Sequence, residues 1–151
     1  MKIAIGCDEA AYRLKAILME HLQKRGDIEY KDFGSSEGET VLYPDVGLSV
    51  AEAVATGVFE RGILICGTGI GMAMTANKVP GIRAAVCHDP FSTERSRKSN
   101  DAQIMCMGER VIGVELAKML VDLWLTCDFA GGGSQPKVDR LNEIDASFRK
   151  G

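Results

Sequence analysis

A cysteine followed by three alternating glycines, Cys66-Gly67-Thr68-Gly69-Ile70-Gly71, closes an unbroken apolar run and precedes a helical pattern. Backbone amides at a strand-to-helix turn point outward, and the start of the helix carries partial positive charge. Such a turn favours an anion or a developing oxyanion. A thiol at the same place has a stabilised thiolate and can serve as nucleophile or general base. Two plainer readings compete: glycines that only permit a tight turn, and a cysteine that is only a small buried hydrophobe. A dinucleotide fingerprint fails here. G-x-G-x-x-G would need glycine where Met72 stands, the turn follows the third strand instead of the first, and no acidic residue ends the next strand. No G-x-x-x-x-G-K-[ST] run occurs, so a P-loop is excluded.

Other groups with chemical capacity lie where apolar runs end. Asp8 and Glu9 follow the first run and suit substrate hydroxyls as acceptors. His88 follows the fourth, and Arg110 the fifth. A phosphate needs cationic donors, for which Arg110 plus Lys137 or Arg140 from the last helix are available. Arg83 opens a strand and belongs to the opposite edge. Cys7, Cys66, Cys87 and His88 could be weighed as zinc ligands. Cys7 and Cys87 have no paired ligand at metal spacing, and small residues commonly finish buried strands, so no metal is expected. Cys106 and Cys127 read as buried hydrophobes, and His21 as a surface residue on a polar helix face.

The elements that must position these groups alternate regularly. Strands are expected at Lys2–Gly6, Ile28–Phe33, Gly62–Cys66, Ile82–Cys87 and Ala102–Met107. Helical spacing links Leu14, Ile17, Leu18 and Leu22 within Ala11–Arg25, ended by Gly26. Val46, Val50, Ala53 and Val54 form a second stripe, with Pro44 in its first turn. Gly71–Val79 reads as a third helix and Asp89 to about Ser99 as a fourth. Val114, Ala117, Leu120, Val121 and Trp124 mark the fifth. After Gly131-Gly132-Gly133-Ser134, Val138, Leu141, Ile144 and Phe148 mark a sixth. Repeated strand–helix units imply parallel strands covered on both faces. Five are too few for an eight-stranded barrel. The expectation is a three-layer α/β/α sandwich: a Rossmann-like open five-stranded parallel sheet, one domain over 1–151, with an extra C-terminal helix. Such sheets bind ligands outside the strands' C-terminal ends.

Composition agrees with one folded unit. The chain has 151 residues, 46% hydrophobic and 26% charged, with a net charge of −3. That balance lacks the basic footprint of a nucleic-acid or membrane-surface protein. No apolar run approaches a membrane span or a signal-peptide core, so a cytoplasmic protein is expected. Five widely spaced cysteines with no Cys-x-x-Cys pair fit reduced thiols.

Several longer stretches carry a resemblance. Cys7-Asp8, Tyr43-Pro44-Asp45, Gly62 to Gly71, Ala76-Asn77-Lys78-Val79-Pro80-Gly81-Ile82-Arg83-Ala84 and Ser99-Asn100-Asp101-Ala102 resemble the ribose-5-phosphate isomerase B / galactose-6-phosphate isomerase family. The likeness runs through Gly131-Gly132. It implies a metal-free, cofactor-free aldose–ketose isomerase of a sugar phosphate, default substrate ribose 5-phosphate. It also implies a homodimer or dimer of dimers with the site at the subunit interface. By that resemblance Cys66 is the general base, and the loop of Gly67, Thr68, Gly69, Ile70 and Gly71 holds the enediolate oxygens, with Thr68 assisting. Asp8, Glu9, Tyr43, His88, Ser99 and Asn100 complete the substrate-binding set. Arg110 and Lys137 match phosphate contacts, Lys137 donated by the neighbouring subunit.

Three positions depart from the family pattern. Glu9 and Ser99 stand where histidines are usual, and Gly133-Ser134 where an arginine and a histidine often follow the paired glycines. The histidine at the Ser99 position opens the furanose ring. A tetrose 4-phosphate has its O4 esterified, cannot close that ring, and needs no such residue. An isomerase of a linear tetrose phosphate is therefore an alternative, with His88 as a substitute ring opener if the substrate is a pentose. A catalytically silent sugar-phosphate-binding subunit is the alternative from another class. A redox thiol protein is a distant third, because Cys66 has no evident resolving partner.

Overall fold

Apolar runs with no polar interruption become the inner strands. In the computed structural model, which describes residues 1–149, β3 (Arg61–Cys66) and β5 (Ile104–Gly108) are buried along their whole length. β1 (Lys2–Cys7) is buried after its first residue. The shorter β2 (Glu29–Asp32) and β4 (Ala84–Val86) are less buried and lie at the edges. All pairings are parallel and the order is β2-β1-β3-β5-β4. β5 thus inserts between β3 and β4, an order no periodicity reveals.

Six helices link and flank these strands: α1 (Tyr12–Arg25), α2 (Tyr43–Ala55), α3 (Ile70–Ala76), α4 (Pro90–Lys98), α5 (Val114–Thr126) and α6 (Gln135–Phe148). Side chains alternate across a strand, so each face gathers its own core. Ile3, Ile5, Ile63, Ile65, Met105 and Met107 meet Leu14, Leu18 and Leu22 of α1 and Leu120, Val121 and Trp124 of α5. α4 packs on α5. On the other face Ala4, Leu64, Cys66, Ile104 and Cys106 meet Val50 and Val54 of α2 and Met72 and Ala76 of α3. The result is the three-layer α/β sandwich.

Local chemistry sets most boundaries. Gly26, at φ 76°, ends α1 in the left-handed conformation that glycine adopts without strain. Asp89 caps α4 by accepting the Ser92 N–H, and Pro90 sits in its first turn. Three expected elements are shorter than their sequence pattern, β2 covering Glu29–Asp32 of the expected Ile28–Phe33. α3 ends at Ala76 instead of Val79, because Lys78 N–H and Val79 N–H bond back only three residues and Val79 precedes Pro80. β4 covers Ala84–Val86 of the expected Ile82–Cys87. Before it, the Asn77 side chain takes both the N–H and the carbonyl of Ala84, and Gln103 accepts the Arg83 N–H.

Two buried polar features brace the ligand edge. Lys15 on α1 is 4% exposed and donates to both Asp32 oxygens at 2.9 Å and to the Ser35 carbonyl at 2.7 Å. Cys7 is fully buried, and burial pushes its thiol up to about 11. No helix of the described residues is long and apolar enough to cross a membrane.

Candidate active site

β1 has β2 on one side and β3 on the other, so the chain order reverses between β1 and β3. Loops leaving two such strands part in opposite directions and open a crevice at their C-terminal ends. The crevice here is about 600 Å³, lined by Asp8, Glu9, Ala10, Tyr43, Cys66, Gly67, Thr68, Ile70, Gly71, Met74 and Arg110. The Cys66–Gly71 turn expected from sequence to carry chemistry is therefore one wall, and the Asp8-Glu9 corner is the other.

Cys66 is 5% exposed and its Sγ accepts the Gly69 N–H at 3.1 Å. A main-chain N–H thus points at the sulfur, the kind of donor that can meet negative charge developing there. Gly69 makes this possible: at φ 80° it turns its amide back toward the sulfur, a conformation costly for other residues. Thr68 Oγ1 accepts the Ile70 N–H at 3.3 Å, tying the turn to the first residue of α3. The turn rests on the end of β5. Glu109 N–H bonds the Cys66 carbonyl at 2.9 Å and Arg110 N–H the Gly67 carbonyl at 3.1 Å. Gly108 lies so close beneath that a Cβ there would meet Thr68 Cα at 2.5 Å and the Gly67 carbonyl oxygen at 2.6 Å.

The rim supplies charge and shape. The Arg110 guanidinium lies over Gly67, and the Tyr43 ring lies against Gly71. Burial pushes the Asp8 carboxyl above the usual range, while the Ala10 N–H it accepts at 3.0 Å and the Arg110 charge pull it back less strongly. Glu9 is exposed on the same corner. Among the residues lining the crevice, Arg110 is the one cation and faces two carboxylates.

Five expected site residues do not line it; Gly69 is one, its amide turned to the Cys66 sulfur. His88 follows β4 at the correct edge, but its ring turns into the sheet, where Nε2 accepts the Gly108 N–H at 2.9 Å, and it does not line the crevice. Ser99 and Asn100 end α4 and lead into the start of β5, so they stand at the opposite edge from Cys66. Ser99 Oγ accepts from Arg95 at 3.2 Å, and the Asn100 carbonyl accepts from Arg83 Nε at 3.2 Å. Lys137 is on α6, whose Asn142 and Asp145 bond Arg83 and Gly81 at that same far edge. Parallel topology forces this: a residue just before a strand cannot meet one just after its neighbour within one chain. Met74 lines the crevice without having been expected from the sequence. Its position one turn after Ile70 on α3 is the signal that points to it.

Among the described residues no group of three or more His, Cys, Asp or Glu could hold a metal ion. The second histidine, His21, bonds Asp122 on α5 at 2.8 Å, away from the crevice.

The match to known proteins is extensive. The family model described as Ribose/Galactose Isomerase matches residues 3–141. The chain is 59% identical to a Listeria innocua protein named Ribose-5-P isomerase B, across 99% of this chain and 100% of that one. It is 51% identical to a Pectobacterium atrosepticum protein named D-erythrulose-4-phosphate isomerase, over 93% of each. The solved structure of Clostridium thermocellum Ribose-5-Phosphate Isomerase B superposes with a TM-score of 0.95 at 50% identity, covering 98% of this chain and 99% of that one. With one wall of the crevice built from the very turn that ends in Gly71, and with likeness over nearly every residue, the chain belongs to the ribose/galactose isomerase family.

Proposed function

We propose that the chain interconverts a phosphorylated aldose and ketose, with Cys66 as the general base. The observation that carries this is the Cys66 sulfur, set in the crevice and accepting the Gly69 N–H. The thiolate takes the proton from the carbon beside the carbonyl, and the C–H electron pair becomes the enediolate double bond. The developing O1 oxyanion faces the Gly67–Gly71 turn, the hydroxyl proton on O2 passes to O1 with Thr68 beside it, and the proton held on sulfur is delivered to C1 as C2=O forms. Asp8 accepts sugar hydroxyls and Arg110 takes the phosphate. One cation beside Asp8 and Glu9 is weak for a phosphate dianion. We therefore assign Asn100, Ser99 and Lys137 to the crevice of a second copy, in a dimer or dimer of dimers. Five unpaired cysteines fit a reducing cytoplasm.

Ribose 5-phosphate is the default substrate. A second reading, a linear tetrose phosphate, is favoured by a specific observation. The chain has two histidines and neither lines the crevice: His21 bonds Asp122, and His88 accepts the Gly108 N–H beneath the turn. Ser99 offers only a hydroxyl where a ring opener would stand. The relative named for D-erythrulose 4-phosphate makes that substrate the first to try.

Turnover of the purified protein on ribose 5-phosphate and on D- and L-erythrulose phosphates tests both levels. Cys66→Ala is expected to lower turnover by ~10³-fold while the fold persists. Retention of full activity in that variant refutes the base assignment. A higher kcat/KM on a tetrose phosphate selects the linear substrate, and a higher value on ribose 5-phosphate discards it. Substrate binding without exchange of the C1/C2 proton with solvent would mark a silent subunit instead.

A further inference from the structure

The end of β5 has a hydrogen bond that strand pairing cannot provide. β4 pairs with β5 through Val86 and Cys106, and the Cys87 N–H bonds the Cys106 carbonyl at 2.9 Å. The next amide of β5 that faces β4 is that of Gly108. By then the chain has turned away into α4, with Asp89 capping and Pro90 in the first turn. The acceptor that meets the Gly108 N–H is the imidazole of His88, at 2.9 Å. On its other side Gly108 supports Thr68 and the Gly67 carbonyl at a distance that admits no Cβ. The next amide, Glu109 N–H, holds the Cys66 carbonyl. Gly108 is thus the floor of the turn that carries Cys66, and His88 fixes one edge of that floor.

We propose that His88 is a positioning residue: by accepting the Gly108 N–H through Nε2, its neutral ring sets the Cys66–Gly71 turn for catalysis. This rests on the reading that the turn is the catalytic one. A ring accepting at Nε2 carries its proton at Nδ1, and an imidazolium cannot accept at all. The bond therefore exists only while His88 is neutral. Burial holds the ring below the ordinary histidine range, while the Asp89 carboxylate at the start of α4 pulls the other way less strongly. The titratable groups on the adjoining ends of β4 and β5, the Cys87 and Cys106 thiols, are uncharged at neutral pH because burial pushes both up. The outcome is a neutral ring at pH 7 that releases Gly108 on acidification.

The test compares the wild type with His88→Ala and His88→Gln on whichever sugar phosphate is turned over, with Cys66→Ala in parallel. Glutamine places an amide oxygen near the Nε2 position and does not titrate. His88→Ala should lower kcat by ~10–100-fold with KM changed by less than about threefold, because nothing that touches substrate is removed. His88→Gln should recover most of that loss. It should also lack the acid-side fall in kcat that the wild type shows below the ordinary histidine range. Equal kcat in wild type and His88→Ala overturns the proposal. So does equal impairment of both variants, or an unchanged acid limb in His88→Gln. Should His88→Ala not fold, nitrogen-15 spectra of the wild type decide: a coupling across the hydrogen bond between Gly108 N and unprotonated His88 Nε2 is required, and its absence overturns the assignment. Full activity in Cys66→Ala would refute the base while leaving the His88 comparison readable.

Discussion

Gly108→Ala puts the support of the Cys66–Gly71 turn to a quantitative test. The new methyl carbon would stand 2.5 Å from Thr68 Cα, 2.6 Å from the Gly67 carbonyl oxygen and 2.6 Å from the Thr68 carbonyl carbon. Ordinary contact begins near 3.4 Å, so the turn must retreat by about 0.9 Å. All three obstacles are backbone atoms, so no side chain can swing aside. Overpacking of this kind costs ~1–3 kcal/mol, partly offset by ~0.4–1 kcal/mol from a less flexible unfolded chain. For a domain of this size a net of about 1 kcal/mol lowers Tm by ~2–4 °C. The catalytic loss should be larger in proportion, because a ~1 Å misplacement of a reacting group costs ~100-fold in rate. Thermal unfolding and steady-state kinetics on one preparation measure both. Gly113→Ala, at the start of α5, is the control: nothing stands within 4 Å of its new methyl and its φ of −75° suits alanine. Gly108→Ala with wild-type Tm and wild-type kcat would refute the picture of β5 as the floor of the turn.

Three further outcomes follow from the same structure. Cys7 ionises near 9 when unfolded and at about 11 when folded, so the folded state holds its proton longer and stability falls as pH rises from 9 to 11. That loss is on the order of 2–3 kcal/mol, and urea titrations across this window should show a smaller slope for Cys7→Ala. Lys15→Met leaves the Ser35 carbonyl without its donor and Asp32 without its partner. With Asp32 37% exposed, we expect a loss of ~2 kcal/mol in urea unfolding, below the fully buried case. Arg110→Gln should raise KM for the sugar phosphate by ~10-fold with a smaller change in kcat, and less so at high salt.

The inner strands are legible in the sequence because burial on both faces leaves one solution for a run such as Gly62–Cys66. The ligand edge follows from parallel topology alone, which is why the Asp8-Glu9 corner and the Cys66–Gly71 turn pair on sequence grounds. β4 is shorter than its apolar run because its entry is paired by the Asn77 and Gln103 side chains, and side-chain ladders leave no apolar signature. The place of β5 between β3 and β4 depends on the path of α4, a tertiary choice. His88 stands at the correct edge, yet which way its ring turns is decided by an orphan amide of another strand. Asn100 and Lys137 match family positions, but within one chain the fold leaves them, with Ser99, outside the Cys66 crevice.

The far-edge position of Asn100 has a genetic consequence. β5 separates Asn100 from the Cys66 level by on the order of 15 Å. If the crevice is shared as proposed, a Cys66→Ala allele and an Asn100→Ala allele damage opposite ends of the same sheet. Each alone leaves every crevice broken. Co-expressed, a mixed pair assembles one crevice with an intact cysteine from one chain and an intact asparagine from the other. Two silent genes would then restore growth together, and a selection for such pairs would chart, residue by residue, which side chains act in cis and which in trans.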